Sequence, residues 1–117
     1  MKTVNRNQLL PALDGKLDRL VELCREFQVK RLEIFGSAAT QAFRPESSDF
    51  DFLVDFGNRS LGPWGRQFLQ FADALETLFG RHVDLIMPNS IRNPYFRKAV
   101  DASRQLLYEA RGEETPV

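Results

Sequence analysis

Apolar residues in the N-terminal part of the chain recur at intervals of three and four, which is the spacing of one face of an α-helix. The series comprises Leu10, Leu13, Leu17, Leu20, Val21, Cys24 and Phe27. It predicts an amphipathic helix that runs to about Phe27. A second series over residues 64–79 predicts another amphipathic helix, and Gly80 supplies the stop signal at its end.

Three short apolar runs are typical of β-strands, and they lie at residues 31–35, 49–56 and 82–87. The second run alternates, because side chains of a strand point in turn to opposite faces of the sheet. One face carries Phe50, Phe52, Val54 and Phe56, and the other carries Asp49, Asp51, Leu53 and Asp55. The pattern predicts a strand with its aromatic face in the core.

The remaining segments predict turns and a last helix. Ser37 is a good helix N-cap, so a short helix is expected over 38–42, followed by a turn at 44–48 and a flexible loop at 57–63. Asn93 and Pro94 suit the N-cap and first position of a helix. We expect that helix to continue to Ala110, with Leu106 and Leu107 facing inward.

Strands that alternate with helices indicate an α/β (α+β) domain with a small mixed β-sheet of about three to four strands, flanked by helices. The predicted order is α-β-α-β-α-β-α, in a single domain over residues 1–117 with a flexible tail at 112–117. An apolar content of 43% with ten Phe suits one packed core in a chain of 117 residues.

Charge and cysteine content exclude several classes of protein. Acidic and basic residues balance at 16 each, so no overall field draws the protein to nucleic acid or to a membrane. Cys24 is the single cysteine, which excludes a disulfide framework. No segment approaches the roughly 20 apolar residues of a membrane span. A cytoplasmic protein is the default expectation.

Three aspartates lie inside apolar strands, where an uncompensated carboxylate is costly. Asp49 and Asp51 leave the same strand face, and Asp84 joins them if the third strand lies beside the second. Two such charges about 4 Å apart repel by about 4 kcal/mol at an effective dielectric of about 20. Oxygen-only ligands suit Mg²⁺, which accepts substrate phosphates. The trio therefore predicts a site for two Mg²⁺ ions.

The Gly36-Ser37 turn would supply the second half of such a site. A strand that ends in glycine before a helix start presents backbone N–H groups, which favour a phosphate. The Ser37 hydroxyl adds a donor. A nucleoside triphosphate is expected to lie between this turn and the metal ions. His82 is interpreted as a surface or partly packed residue.

In these residues the chain resembles a nucleotidyltransferase of the DNA polymerase beta superfamily. More narrowly, it is similar to the minimal nucleotidyltransferases (MNT, or MntA-like, proteins). The matching segments are 35–37, 43–56, 78–86, 93–97 and 106–109. The Gly-Ser turn followed by Asp-x-Asp is the specific part of this resemblance, which implies a polymerase-beta-type nucleotidyltransferase fold.

The resemblance also implies the roles of the site residues. Asp49, Asp51 and Asp84 would be the catalytic and metal-binding residues, with Asp84 assisting deprotonation of the attacking hydroxyl. Gly36, Ser37 and Thr40 would bind the nucleotide phosphates. The implied reaction transfers a nucleoside monophosphate from ATP or another NTP and releases pyrophosphate. The implied partner is a HEPN-domain toxin, which some members silence by transfer of AMP to a tyrosine.

Two departures from the family pattern accompany this resemblance. Eleven residues, from Ala38 to Ser48, separate Ser37 from Asp49, one more than is common. Thr40 stands where the family often has arginine, which removes a phosphate-binding cation. The extra residue can be absorbed in the turn before Asp49.

Three functions stay open at this point. The first is transfer of AMP to a protein acceptor held by a partner, by a second copy in a homodimer or by a shallow surface, with residues 57–65 as the contact region. The second is a non-catalytic antitoxin that acts by occlusion. The third, a metal-dependent nuclease, fits the Gly36-Ser37 turn less well, and direct binding of nucleic acid is not expected.

Overall fold

A computed structural model of the chain describes residues 13, 15–39, 49–57 and 65–110. Three helices and four strands make up this described part. The helices are α1 (Leu17–Glu26), α2 (Arg66–Phe79) and α3 (Pro94–Ser103). The strands are β1 (Arg31–Phe35), β2 (Phe50–Asp55), β3 (Val83–Ile86) and β4 (Gln105–Glu109). Two short 3-10 turns lie at Gly36–Ala39 and Pro88–Ser90.

The strands form one mixed sheet in the order β3-β2-β1-β4. β1 pairs antiparallel with β2 and with β4, whereas β2 and β3 are parallel. A parallel pair needs a long crossover connection, and α2 lies in the segment that joins β2 to β3. The expected mixed α/β fold with a small sheet is confirmed.

Both faces of the sheet are covered, and the alternation in β2 separates them. Phe50, Phe52 and Val54 are buried in the main core with residues of α1 and α2. Leu53 points to the opposite face and packs with Phe35 and with Val100 of α3. The predicted division of this strand into an aromatic core face and a second face is therefore confirmed. The aspartates share that second face, on the side of the sheet where α3 packs.

Two predicted signals at helix ends, Gly80 and Asn93, are confirmed. The predicted N-cap Ser37 instead lies inside the 3-10 turn, and the first described helix begins only at Leu17. Gly80 ends α2 in the left-handed conformation with φ of 67°, and its N–H donates to the carbonyl oxygen of Glu76. The Asn93 side chain accepts hydrogen bonds from the backbone N–H groups of Tyr95 and Phe96 at the start of α3. This cap satisfies two donors that the helix itself leaves unpaired.

The predicted course of the last helix beyond residue 103 is wrong. α3 ends at Ser103, and residues 105–109 form β4 instead of two further helical turns. β4 covers the second edge of β1, but a register shift between Leu32 and Glu33 breaks regular pairing. Consecutive Leu107 and Tyr108 are both buried as a result. That pattern lacks the period of two by which a strand is recognised in a sequence.

Several other predictions concern segments that the structure describes partly or not at all. The expected helix over 38–42 begins as a 3-10 turn at Gly36–Ala39, and its remainder lies outside the described residues. The turn at 44–48, most of the loop at 57–65 and the tail at 112–117 also lie outside them. Within the described part, no helix is both long and apolar enough to cross a membrane.

Candidate active site

Two of the predicted aspartates lie side by side on adjacent strands. Asp51 of β2 is the register partner of Asp84 in the parallel β2–β3 pair. On its other side Asp51 is opposite Phe35, the last residue of β1. Asp49 is exposed and precedes the start of β2. The sheet thus brings Asp51 and Asp84 together at the point where β1 gives way to the Gly36–Ala39 turn.

The backbone of Gly36 lies directly against the Asp51 carboxylate. Gly36 has φ of +75°, and a Cβ added there would lie 2.6 Å from Oδ2 of Asp51. The position therefore requires glycine twice, for its left-handed backbone and for the absence of a side chain. The predicted proximity of the Gly36-Ser37 turn to the carboxylates is observed.

One of the backbone donors expected to face a phosphate is already engaged. The N–H of Gly36 donates to Oγ of Ser103, at the end of α3, over 2.8 Å. Ser37 follows within the same turn, and Thr40 lies outside the described residues. Phosphate binding by Gly36, Ser37 and Thr40 stays a prediction.

The electrostatics of the site centre on Asp51. Burial and the neighbouring Asp84 carboxylate, with a smaller contribution from Asp49, raise the pKa of Asp51 from 3.8 to about 6. Burial and the neighbouring carboxylates both disfavour the ionised form of Asp51. A cation bound here would relieve the repulsion and restore the ionised form.

Sequence reasoning missed a contact between His82 and Asp84. Nε2 of His82 lies 2.8 Å from Oδ1 of Asp84, and Nδ1 lies 3.4 Å from Oε2 of Glu76. The hydrogen bond to Asp84 raises the pKa of His82. The available signal was spacing, because residues two apart on an extended segment share a face. His82 is an exposed residue, as expected, but it is also a partner of the site.

Carboxylate oxygens are suitable ligands for a hard divalent cation such as Mg²⁺, which binds oxygen donors and keeps coordination positions open for phosphate. Gly36 leaves room beside Oδ2 of Asp51 that any side chain would fill. Among the described residues, no three His, Cys, Asp or Glu side chains already stand in the arrangement of a metal cage. Metal binding by Asp49, Asp51 and Asp84 stays a prediction.

Comparison with known proteins places this fold and site in a family. Residues 17–107 match the family described as the nucleotidyltransferase domain. A provisionally named protein adenylyltransferase of Methanocaldococcus jannaschii is 36% identical over 83 residues, which cover 71% of this chain and 79% of that protein. The family match over residues 17–107 includes the strands that carry Asp51 and Asp84.

Solved structures give the same result for the fold. A minimal nucleotidyltransferase superposes with a TM-score of 0.63 at 27% identity, over 81% of this chain and 92% of that one. A chain from the complex of a tri-AMPylated Shewanella oneidensis HEPN toxin with an MNT antitoxin has a TM-score of 0.53 at 17% identity. That match covers 86% of this chain and 76% of the other.

The family match and the adenylyltransferase relatives thus define an enzyme that transfers nucleotidyl groups. The chain belongs to the nucleotidyltransferase family, and within it resembles the minimal, MNT-like members. The resemblance seen in the sequence is confirmed.

Proposed function

We propose that the protein is a Mg²⁺-dependent nucleotidyltransferase that moves AMP from ATP to a protein acceptor. We further propose that it acts in the cytoplasm as the antitoxin of a toxin–antitoxin pair, with a HEPN-domain toxin as partner and acceptor. The observation that carries the proposal is the in-register pair of Asp51 and Asp84 beside the Gly36 backbone.

The proposed reaction assigns a role to each group of the site. An acceptor hydroxyl oxygen bonds to the α-phosphorus of ATP, the bond from that phosphorus to the bridging oxygen breaks, and pyrophosphate leaves. Asp84, with its side chain 54% exposed, is accessible to take the hydroxyl proton. Asp49, Asp51 and Asp84 would hold Mg²⁺, which supplies positive charge to the triphosphate. The Gly36-Ser37 turn would bind the leaving phosphates.

The names of the similar proteins support the choice of AMP and of a protein acceptor. The Methanocaldococcus relative is named as a protein adenylyltransferase. The Shewanella complex holds an AMPylated HEPN toxin beside its MNT antitoxin.

A transfer assay with two labels tests the proposal. The protein is purified with its proposed HEPN-domain partner and incubated with Mg²⁺ and ATP labelled at the α- or γ-phosphate. We expect label on the partner from α-labelled ATP alone, because nucleotidyl transfer retains the α-phosphate. Asp51→Asn should abolish labelling. Asp55→Asn, on the same strand face but beside Gly57, should not, since its Oδ1 still accepts from the Gly57 N–H.

The same assay separates the proposal from its competitors. A complex that forms and silences the toxin without label would establish neutralisation by occlusion. Label from the γ-position would indicate phosphoryl transfer instead. Cleavage of DNA or RNA by the wild type, lost in Asp51→Asn, would indicate a nuclease.

A further inference from the structure

Three consecutive residues at the junction of α3 and β4 contact the Gly36–Ala39 turn or the strand β1 that leads into it. Oγ of Ser103 accepts the N–H of Gly36 at 2.8 Å. Nε2 of Gln105 donates to the carbonyl oxygen of Ala39 at 2.7 Å. These two hydrogen bonds hold the first and last residues of the turn from outside it.

Arg104, between these two residues, anchors the junction to the sheet. Its guanidinium donates to the Glu33 carboxylate at 2.7 and 3.3 Å. Glu33 is the buried charged residue of the described part, with 4% of its surface exposed. Burial raises the pKa of Glu33, but the hydrogen bonds from Arg104 and Arg31 outweigh it, so the pKa lies below its ordinary value. The junction therefore has a fixed position relative to β1.

The turn needs external support because its own structure is weak. A 3-10 turn has poorer hydrogen-bond geometry than an α-helix, and glycine has more backbone freedom than other residues. The peptide of Gly36 also has to remain against the Asp51 carboxylate. The hydrogen bond from its N–H to the Ser103 hydroxyl fixes the orientation of this peptide from outside the turn.

We propose that Ser103, Arg104 and Gln105, here called the brace, are positioning residues that hold the Gly36–Ala39 turn in the shape required to bind the β- and γ-phosphates of the substrate. Ser103 and Gln105 act through the turn rather than by contact with the nucleotide. This inference rests on the phosphate-binding role of the turn in the proposed function, but not on the identity of the acceptor.

Nucleotide binding to the protein without its partner tests the brace. Affinities for Mg²⁺·ATP, Mg²⁺·pyrophosphate and AMP are measured by calorimetry for the wild type, Ser103→Ala, Ser103→Thr and Gln105→Met. Loss of one hydrogen bond to the turn should weaken Mg²⁺·ATP and Mg²⁺·pyrophosphate by about three- to tenfold. Binding of AMP, which lacks the β- and γ-phosphates, should change by less than about twofold. Ser103→Thr, which keeps the hydroxyl, should restore the wild-type affinities.

Ser90→Ala is the matched control, because Oγ of Ser90 donates to a backbone carbonyl, that of Met87, away from the turn. It should leave all three affinities unchanged. Equal weakening of AMP and ATP in Ser103→Ala, or unchanged ATP affinity in both Ser103→Ala and Gln105→Met, would overturn the inference while leaving the proposed transfer reaction intact. Conversely, a wild type that binds Mg²⁺·ATP but labels no partner would remove the acceptor proposal and leave the brace standing.

Discussion

Gly36 and Asp51 are in direct contact, such that a Cβ on Gly36 would lie 2.6 Å from Oδ2 of Asp51. Two strands produce this relationship, because Asp51 is opposite the last residue of β1 and Gly36 follows that residue. The Asp51 carboxylate and the Gly36–Ala39 turn therefore pack against each other, and a change in the position of either should shift the other.

Gly36→Ala should lower the free energy of unfolding by more than the cost of placing alanine in a left-handed backbone conformation. Gly15 has the same φ of +75° but no atom within 4 Å of an added Cβ, so Gly15→Ala measures the backbone cost, about 1–2 kcal/mol. Gly36→Ala should lower the free energy of unfolding by a further 1–3 kcal/mol or so, because Asp51 has to move. Urea unfolding of both variants makes the comparison. Equal losses of unfolding free energy in the two variants would show that the Asp51 side chain can move away from the added Cβ without cost.

Asp51→Asn should stabilise the metal-free protein at neutral pH and not at acidic pH. In the folded protein the pKa of Asp51 is about 6, above the ordinary 3.8. Protonated Asp51 therefore adds to the free energy of unfolding in full below pH 3.8, and this contribution is lost as the pH rises through 6. With solvent screening of this half-buried group discounted, the variant should gain about 1–2 kcal/mol at pH 7.5. At pH 4 the gain should vanish. Urea unfolding in a chelator at both values gives the measurement, and a gain that does not depend on pH would refute the charge argument.

Mg²⁺·ATP should raise the melting temperature of the wild type and not that of Asp51→Asn. At a ligand concentration 100 times its Kd, binding adds about 2.7 kcal/mol, which corresponds to about 10 °C in a domain of this size. The shift should disappear with chelator, because the triphosphate then meets the carboxylates without a cation. Asp55→Asn provides the control and should retain the shift. A full shift in Asp51→Asn would place the nucleotide away from this aspartate.

The ion pairs around β1 should contribute to the free energy of unfolding according to their burial. The Glu33 side chain is 6% exposed and receives bonds from Arg104 and Arg31, whereas Glu109, which also pairs with Arg31, is 49% exposed. Glu33→Ala leaves two guanidinium groups without that partner and should cost about 1–3 kcal/mol of unfolding free energy. Glu109→Ala should cost less than about 1 kcal/mol. Denaturant titration of both variants tests this order, and equal costs would contradict it.

Much of the site could be predicted from the sequence because it depends on local periodicity. Alternation in 49–56 placed Asp51 on the face opposite Phe50 and Phe52, and the structure confirms this separation. The parallel neighbour of β2 follows from the strand–helix–strand pattern, which brought Asp84 beside Asp51.

The remaining features depend on contacts between distant parts of the chain. Neither Ser103 nor Gln105 carries a motif, and their bonds to Gly36 and Ala39 span more than 60 residues of sequence. β4 was missed because Leu107 and Tyr108 are buried in succession, which resembles a helix more than a strand. Such features follow from the packing of α3 against the sheet, which no local pattern encodes.

The position of β4 determines the order in which the parts of the candidate site are completed during synthesis. β1 is an inner strand, and one of its two hydrogen-bonded edges is completed by β4, the last of the described strands to leave the ribosome. A nascent chain that has released only β1, β2 and β3 already holds Asp49, Asp51 and Asp84, but it lacks Ser103 and Gln105, which form hydrogen bonds with Gly36 and Ala39. The brace is therefore completed only after the three aspartates have left the ribosome, and a chain that stops before residue 103 carries neither hydrogen bond to the turn.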